Sequence, residues 1–171
     1  HALICQDPTL DLTRAAIEAG ASVTFLDPDF ARCQEAAALG ATVVGDQRLD
    51  AYLAGSSGQV VALGEMPKSL ARLDYLARSI AGAGFSDVRL VLGGNNKHLS
   101  RGMNAVLEES FTSVAASRGR GKFRCLVAAG PRDVTYEPVM GDRLVAIGGV
   151  FSGAKPDRGG ELLRSCLPAN P

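Results

Sequence analysis

The chain has 171 residues, 46% of them hydrophobic and 21% charged, which is enough for one domain with a substantial apolar core. No apolar stretch approaches the roughly 20 residues of a membrane span, and the N-terminus lacks the pattern of a signal peptide, so we expect a cytoplasmic protein without membrane contact. The formal net charge is zero, but residues 1–63 hold eight acids and three bases whereas residues 64–124 hold five acids and ten bases, which indicates a directed surface.

Four cysteines, Cys5, Cys33, Cys125 and Cys166, are scattered without CxxC spacing. This pattern favours buried free thiols in a reducing compartment and gives no reason to expect a metal site. His1 stands where a natural chain would begin with Met, so we interpret it as the remnant of an expression tag.

Short apolar runs alternate with helical patterns, which predicts a parallel sheet covered by helices. The predicted strands are Ala2–Cys5, Ser22–Leu26, Ala41–Val44, Gln59–Leu63 and Asp87–Leu92. The predicted helices are Leu10–Ala19, Asp29–Leu39, Pro67–Ala81 and Ser100–Phe111. Gly20 and Gly40 end the first two helices.

The alternation ends at Phe111, where two successive strands, Thr112–Ala116 and Phe123–Ala129, predict an antiparallel hairpin. Seven strands in this arrangement are the layout of an α/β fold of the class I methyltransferase, Rossmann-like type, with helices on both faces of the sheet. Later predicted elements are short strands at Val134–Val139 and Arg143–Ile147, a helix at Gly159–Leu167 and an extended ending at residues 168–171.

A working cofactor site in this fold needs a glycine-rich turn after the first strand, where backbone N–H groups approach the ligand. The residues there are Gln6–Asp11, with no glycine before Gly20. Asp27 stands at the end of the second predicted strand, where such folds hold the hydroxyl pair of a ribose, and is therefore a candidate cofactor ligand. The alternative, which the missing glycine turn favours, is that the segment Asp27-Pro28-Asp29 caps the next helix.

Glu65 follows the fourth predicted strand, in the segment Gly64–Lys68. Amino-methylating enzymes of this fold carry an Asn/Asp-Pro-Pro-aromatic motif at this point, and neither the Asn nor the aromatic residue is present. Glu65 is a candidate general base, with favourable electrostatics at a helix N-terminus as the alternative role. The residues alone therefore assign no catalytic residue.

Arg118, Arg120, Lys122 and Arg124 are spaced by two, so a fully extended hairpin would project all four side chains from one face. Such a cationic ridge suits the phosphates of an RNA backbone, and we predict it to bind RNA. The alternatives are a solubilising turn, or an ion pair between Arg124 and an acid in the sheet.

Lys97, His98 and Arg101 follow the fifth predicted strand and open a helix, at the edge where parallel sheets bind ligands. They are further RNA-binding candidates. The alternative is a structural turn in which Asn95 and Asn96 supply hydrogen bonds. A catalytic role for His98 needs a partner carboxylate, which the sequence does not identify.

Several segments, together and in this order, resemble the N-terminal half of the ribosomal RNA guanine-N2 methyltransferases of the RsmC and RlmG type. They are Met66–Ser69, Leu92–His98, Arg118–Arg124 and Gly149–Gly153, followed by Asp157 and Leu162-Leu163. The resemblance covers most of the chain from Gln59 to Leu167. In that family two methyltransferase-like domains follow one another, and the N-terminal one is a degenerate copy without cofactor chemistry.

The resemblance implies that residues 1–131 form a degenerate methyltransferase-like domain, and that residues 132–171 form a linker and the entry into a C-terminal catalytic domain. S-adenosylmethionine is then expected in that following domain and not in this chain, which is not catalytic alone. The leading hypothesis is a non-catalytic RNA-binding scaffold of an rRNA methyltransferase. Its partners are ribosomal RNA and its own catalytic domain, with homodimerisation left open.

Two other hypotheses stay open. In the first, the chain itself binds S-adenosylmethionine through an unusual first loop, with Asp27 at the ribose and Glu65 near the methyl acceptor. In the second, the sheet pairs with another domain or with a second copy, and its role is purely architectural.

Overall fold

A computed structural model describes residues 1–44 and 48–167. The strands are β1 (Ala2–Cys5), β2 (Val23–Leu26), β3 (Thr42–Val43), β4 (Gln59–Glu65), β5 (Asp87–Asn95), β6 (Phe111–Ala116), β7 (Phe123–Pro131), β8 (Val139–Met140) and β9 (Val145–Ala146). The helices are α1 (Asp11–Glu18), α2 (Phe30–Ala38), α3 (Leu49–Leu53), α4 (Leu70–Ala81), α5 (Arg101–Ser110) and α6 (Arg158–Cys166). A 3-10 turn at Asn96–His98 joins β5 to α5.

Seven strands form one sheet in the order β3-β2-β1-β4-β5-β7-β6. The first five strands are parallel, and β7 lies between β5 and β6, antiparallel to both. This arrangement confirms the predicted class I methyltransferase fold. The carboxyl ends of β1, β2, β4 and β5 meet at one edge of the sheet, which is where such folds place ligands.

Helices cover both faces of the sheet and enclose two apolar cores. One core is shared by α3, α4 and α5 and contains the fully buried Leu73, Leu90 and Leu107. The other is shared by α1 and α2 and contains the fully buried Ile4 and Phe25. The α1–α2 layer makes its main contacts with β1, β2 and β3, at one end of the sheet.

The strands of the sheet and the longer helices lie close to their predicted bounds, whereas α3 was not predicted. Its five residues are too few for an amphipathic repeat to stand out. α4 begins at Leu70 rather than at Pro67, because the Ser69 hydroxyl accepts a hydrogen bond from the Arg72 N–H at 3.3 Å and caps the helix. The predicted ending at residues 168–171 lies outside the described residues.

The segment after Pro131 folds back onto α4. Tyr136 is buried edge-on against Tyr75, with 4.5 Å between the ring centroids, and its hydroxyl accepts a hydrogen bond from the Gly148 N–H at 2.9 Å. By contrast, α6 has no buried residue. The division into residues 1–131 and 132–171, the following catalytic domain and the homodimer all stay predictions. None of the described helices has the length and apolar character needed to cross a membrane.

Candidate functional site

The loop after β1 takes a tight-turn conformation without using glycine. Gln6 and Leu10 have φ angles of 55° and 59°, in the left-handed region that glycine normally occupies. The buried Asp7 stabilises this loop, because its carboxylate accepts hydrogen bonds from the Thr13 N–H at 2.9 Å and the Thr13 hydroxyl at 3.0 Å. The missing glycines therefore do not prevent the turn, contrary to the expectation from the sequence.

Asp27 directly follows β2, and the two oxygens of its carboxylate differ in their hydrogen bonding. Oδ1 accepts hydrogen bonds from the Asp29 N–H at 2.8 Å and from Arg32 Nη2 at 2.9 Å. Oδ2 has no partner among the described residues, although the side chain is only 1% exposed. The cap of α2 is Asp29, which accepts from the Ala31 N–H at 2.9 Å. A capping role therefore does not account for the buried Oδ2 atom of Asp27.

Glu65 is exposed at the carboxyl end of β4, next to the loop after β1. Its N–H donates to the Gln6 carbonyl at 3.2 Å. The preceding Gly64 is required for this close approach, since a Cβ atom there would lie 1.8 Å from the Cys5 carbonyl oxygen. Burial raises the pKa of the Cys5 thiol beneath this contact to about 12, so that thiol stays protonated.

Two cavities open at this edge of the sheet. The β2–β4 cavity has a volume of about 460 Å³ and is lined by Gln6, Pro28, Glu65, Met66, Pro67, Lys68, Ser69, Arg72, Gly148 and Gly149. The β5 cavity has a volume of about 630 Å³ and lies between the loop after β1, the ends of β4 and β5, and the β6–β7 hairpin. Gln6 and Glu65 line both cavities. Ligands in the two cavities would therefore meet at these two residues.

The cationic hairpin is not extended over its full length. Ser117 pairs with Cys125 and Arg120 pairs with Phe123, so that two residues, Arg118 and Gly119, face Arg124 alone. This bulge breaks the alternation on which the predicted single ridge depended. Arg118, Arg120 and Arg124 line the β5 cavity, whereas the fourth cation, Lys122, lies in the turn.

The second predicted cationic group lies beside the first. The Asn96 N–H donates to the Lys122 carbonyl at 2.8 Å, which ties the 3-10 turn to the hairpin. His98 lines the β5 cavity, Arg101 lines a neighbouring cavity of about 410 Å³ together with Arg124, and Lys97 is exposed and lines neither cavity. As predicted for a structural turn, Asn95 Oδ1 accepts from the Lys97 N–H at 3.2 Å.

These basic residues have no acidic partner in the described part of the chain. Within residues 1–44 and 48–167, no carboxylate lies within 4.0 Å of the basic groups of Lys97, His98, Arg101, Arg118, Arg120, Lys122 or Arg124. The predicted alternative in which Arg124 pairs with an acid is therefore absent from this part of the chain, and so is a carboxylate partner for His98. No cluster of metal-ligating side chains occurs among the same residues.

One exposed aromatic residue of the site, Phe123, was not predicted from the sequence motifs. Phe123 begins β7, lines the β5 cavity and is 62% exposed. Its position between Lys122 and Arg124 was the available signal, because proteins that bind single-stranded nucleic acid combine cations with aromatic rings on which bases stack.

No protein-family model matches the sequence, and no curated protein is significantly similar to it. The fold is similar to that of a 16S rRNA N2 methyltransferase (RsmC) from T. thermophilus, solved in complex with AdoMet and guanosine, with 17% identity and a TM-score of 0.61. That alignment covers 96% of this chain, which spans 47% of the length of the enzyme.

Two further structures are matched over most of their own length. A TehB-like SAM-dependent methyltransferase from Corynebacterium glutamicum has 15% identity and a TM-score of 0.52, over 77% of this chain and 80% of that enzyme. A 16S rRNA (adenine(1408)-N(1))-methyltransferase mutant from Catenulisporales acidiphilia has 17% identity and a TM-score of 0.55, over 77% of this chain and 85% of the other.

These matches correct two expectations of the sequence analysis. A degenerate, non-catalytic scaffold was the leading hypothesis, with S-adenosylmethionine expected only in a following domain. Both are contradicted, because all seven strands are present and the fold matches 80% and 85% of the length of two methyltransferases, the first of them SAM-dependent. The physical source of the error is the loop at Gln6–Leu10, whose left-handed residues provide the turn without glycine. The chain has the fold of the S-adenosylmethionine-dependent methyltransferases.

Proposed function

We propose that this chain is an S-adenosylmethionine-dependent methyltransferase domain that acts on RNA. The observation that carries the proposal is a pair of unsatisfied atoms at the end of β2. Asp27 Oδ2 is an acceptor and Arg32 Nε–H is a donor, and both are buried without a partner among the described residues. Unpaired buried groups cost free energy. A ribose hydroxyl both donates and accepts, so it would satisfy both atoms.

The residues around the β2–β4 cavity fit such a cofactor. Pro28, which follows Asp27 in the chain, and Gln6, in the turn after β1, both line the cavity, whereas Asp27 and Arg32 lie behind this lining. The volume of about 460 Å³ lies within the range of small-molecule sites. S-adenosylmethionine, when bound, supplies a methyl group carried on a positively charged sulfur. The protein would hold the ribose through Asp27 and Arg32.

The acceptor side is proposed for the β5 cavity. Glu65 borders both cavities, so its carboxylate is the group that would accept a proton or hydrogen bond from an acceptor amine. The cationic wall of this cavity supports an acceptor with phosphates, and we assign the RNA contacts to the seven residues of the predicted site: Lys97, His98, Arg101, Arg118, Arg120, Lys122 and Arg124.

Ribosomal RNA is the acceptor that the available similarities favour. The sequence motifs resemble the RsmC and RlmG type, and two of the structures with a similar fold are 16S rRNA methyltransferases. Methylation of a guanine amine is the reaction of the RsmC and RlmG type alone, since the other 16S rRNA enzyme acts on adenine N1. Glu65 is the only acid that lines both cavities among the described residues.

Calorimetric titration of the purified chain with S-adenosylmethionine tests the cofactor assignment. We expect saturable binding, weakened about 10- to 100-fold by Asp27→Asn, because hydrogen bonds to a charged group contribute about 1.5–3 kcal/mol. Asp29→Asn is the matched control, since Asp29 caps the same helix but has no unsatisfied buried oxygen. Absence of binding by the wild-type chain, or equal affinity in all three proteins, would overturn the proposal.

A further inference from the structure

The outer face of the sheet around β5 and β7 is open. Leu126 and Ala128 of β7 point into the core shared with α4 and α5. The alternating residues Cys125 and Val127 point to the other face, where they are only half-buried. The α1–α2 layer contacts mainly β1 to β3, so it leaves this face accessible. Phe123 lies on the same alternation, at the end of the strand next to the β5 cavity.

The Phe123 side chain is an exposed ring that packs in neither apolar core of the described residues. It is 62% exposed and belongs to neither apolar core. Its backbone is nevertheless well fixed, because it pairs with Asn95 of β5 and forms two hydrogen bonds with Arg120, at 2.8 Å and 3.2 Å. A rigid backbone carrying an exposed ring can bind a planar ligand at low entropic cost.

The charges around this ring specify the ligand. Arg118, Arg120 and Arg124 line the same cavity as Phe123, and no described carboxylate lies within 4.0 Å of them. An anionic ligand with planar, apolar faces matches both features. Nucleic acid combines them, since the phosphates bind cations and each base has a face that stacks on an aromatic ring. Acidic peptides also carry negative charge, but their residues do not each have a planar face that could stack on the ring.

We infer that Phe123 is a stacking platform for an unpaired RNA base, held there while the three arginines bind the neighbouring phosphates. The base must be unpaired because the faces of bases inside a duplex are covered by their neighbours. The inference deepens the proposed function, on which it rests for the identity of RNA as substrate. It assigns Phe123 to substrate binding, in a region where the sequence motifs identified only cations.

Binding of two fluorescent oligomers of equal length tests this inference. One is a single-stranded RNA 12-mer, and the other has the same sugar-phosphate backbone without bases. We expect Phe123→Ala to weaken binding of the RNA about 5- to 100-fold, which corresponds to about 1–3 kcal/mol per stacked base. Binding of the abasic oligomer should change less than about twofold, and Phe123→Trp should retain affinity for the RNA. Arg120→Gln should weaken both oligomers equally.

Phe151→Ala is the matched control, because Phe151 is 87% exposed and lines neither the β5 nor the β2–β4 cavity. Three results would each overturn the inference. Phe123→Ala could weaken binding of both oligomers equally, it could weaken neither, or polyglutamate could bind as tightly as the RNA and depend on Phe123 to the same extent.

Cofactor titration of the same variants separates the two proposals. Wild-type protein that binds no cofactor but shows base-dependent loss in Phe123→Ala refutes the methyltransferase assignment and supports the platform.

Discussion

Asp27 and Arg32 form an ion pair that uses only one carboxylate oxygen, with 2.9 Å between Arg32 Nη2 and Oδ1, whereas Oδ2 has no partner among the described residues. The pair closes the end of β2 against the first turn of α2. The structural role of Asp27 and its proposed ligand-binding role depend on different oxygens, so experiments can separate the two roles.

Replacement of Arg32 should destabilise the fold more than replacement of Arg48, which pairs with Asp50. The reason is burial of the acid, since the Asp27 side chain is 1% exposed and that of Asp50 is 21% exposed. We expect Arg32→Gln to lower the melting temperature by about 5 °C and Arg48→Gln by about 2 °C or less. Thermal unfolding followed by circular dichroism measures both, and equal shifts would contradict the argument.

Two glycines at the edge of the sheet should respond differently to alanine. A Cβ at Gly64 would lie 1.8 Å from the Cys5 carbonyl oxygen, whereas a Cβ at Gly93 would lie 3.6 Å from Cys125 Sγ, its nearest neighbour. We expect Gly64→Ala to lower the free energy of unfolding by more than about 3 kcal/mol or to prevent folding, and Gly93→Ala to change it by about 1 kcal/mol or less. Urea denaturation compares the two, and a small effect at Gly64 would refute the close approach of β1 and β4.

The buried thiol of Cys5 should make stability fall at alkaline pH. Burial raises the pKa of this thiol from 9.0 to about 12 in the folded state, and the positive charge of Arg72 offsets the increase only in part. Below pH 9 the Cys5 thiol is protonated in both the folded and the unfolded chain, so its full contribution to the free energy of unfolding is present. Between pH 9 and 12 the unfolded chain loses the proton first, so the free energy of unfolding falls by about 1.4 kcal/mol per pH unit.

Denaturant titrations of the wild-type chain and of Cys5→Ala, from about pH 8 to pH 10.5, isolate this contribution. The difference in stability between the two proteins should shrink as the pH rises above 9. A constant difference across the range would show that the Cys5 thiol ionises normally in the folded protein.

The arginines of the hairpin should contribute to the salt dependence of RNA binding. Each phosphate contact to a single strand changes the slope of log K against log salt by about 0.7. The double variant Arg118→Gln, Arg120→Gln should therefore reduce the slope by about 1.4, as measured by electrophoretic mobility over a salt series. Arg89→Gln is the control, because Arg89 is exposed near the amino end of β5, away from the site. An unchanged slope in the double variant would exclude phosphate contacts by these arginines.

Glu65 should affect methyl transfer but not cofactor affinity. Loss of a general base lowers turnover about 10²- to 10⁴-fold, so we expect that loss in Glu65→Gln, with cofactor affinity within about twofold of the wild type. Transfer of a tritiated methyl group to RNA measures the rate, and titration calorimetry measures the affinity. Glu35→Gln, on the exposed side of α2, should retain full activity. Full turnover in Glu65→Gln would remove Glu65 from the chemistry.

The sequence alone was sufficient for the position of the seven main strands along the chain, because apolar periodicity, glycine stops and turn residues act over a few neighbouring positions. It also identified Asp27, Glu65 and the cations on both sides of β5 as candidates. It failed at the loop after β1, because composition shows that glycine is absent but not that Gln6 and Leu10 adopt left-handed conformations. That conformation is imposed by contacts such as those of Asp7 with Thr13, six residues away.

Only the tertiary structure decided what these candidates can do together. It left Asp27 Oδ2 without a partner, since the neighbours of a buried carboxylate come from separate parts of the fold. It also introduced the bulge at Arg118 and joined the hairpin to the 3-10 turn through Asn96, so that His98 and three arginines of the hairpin line one cavity with Phe123. Local sequence determines which elements form, because their hydrogen bonds and periodicity are local. Long-range strand pairing determines which side chains meet, and therefore where the site lies.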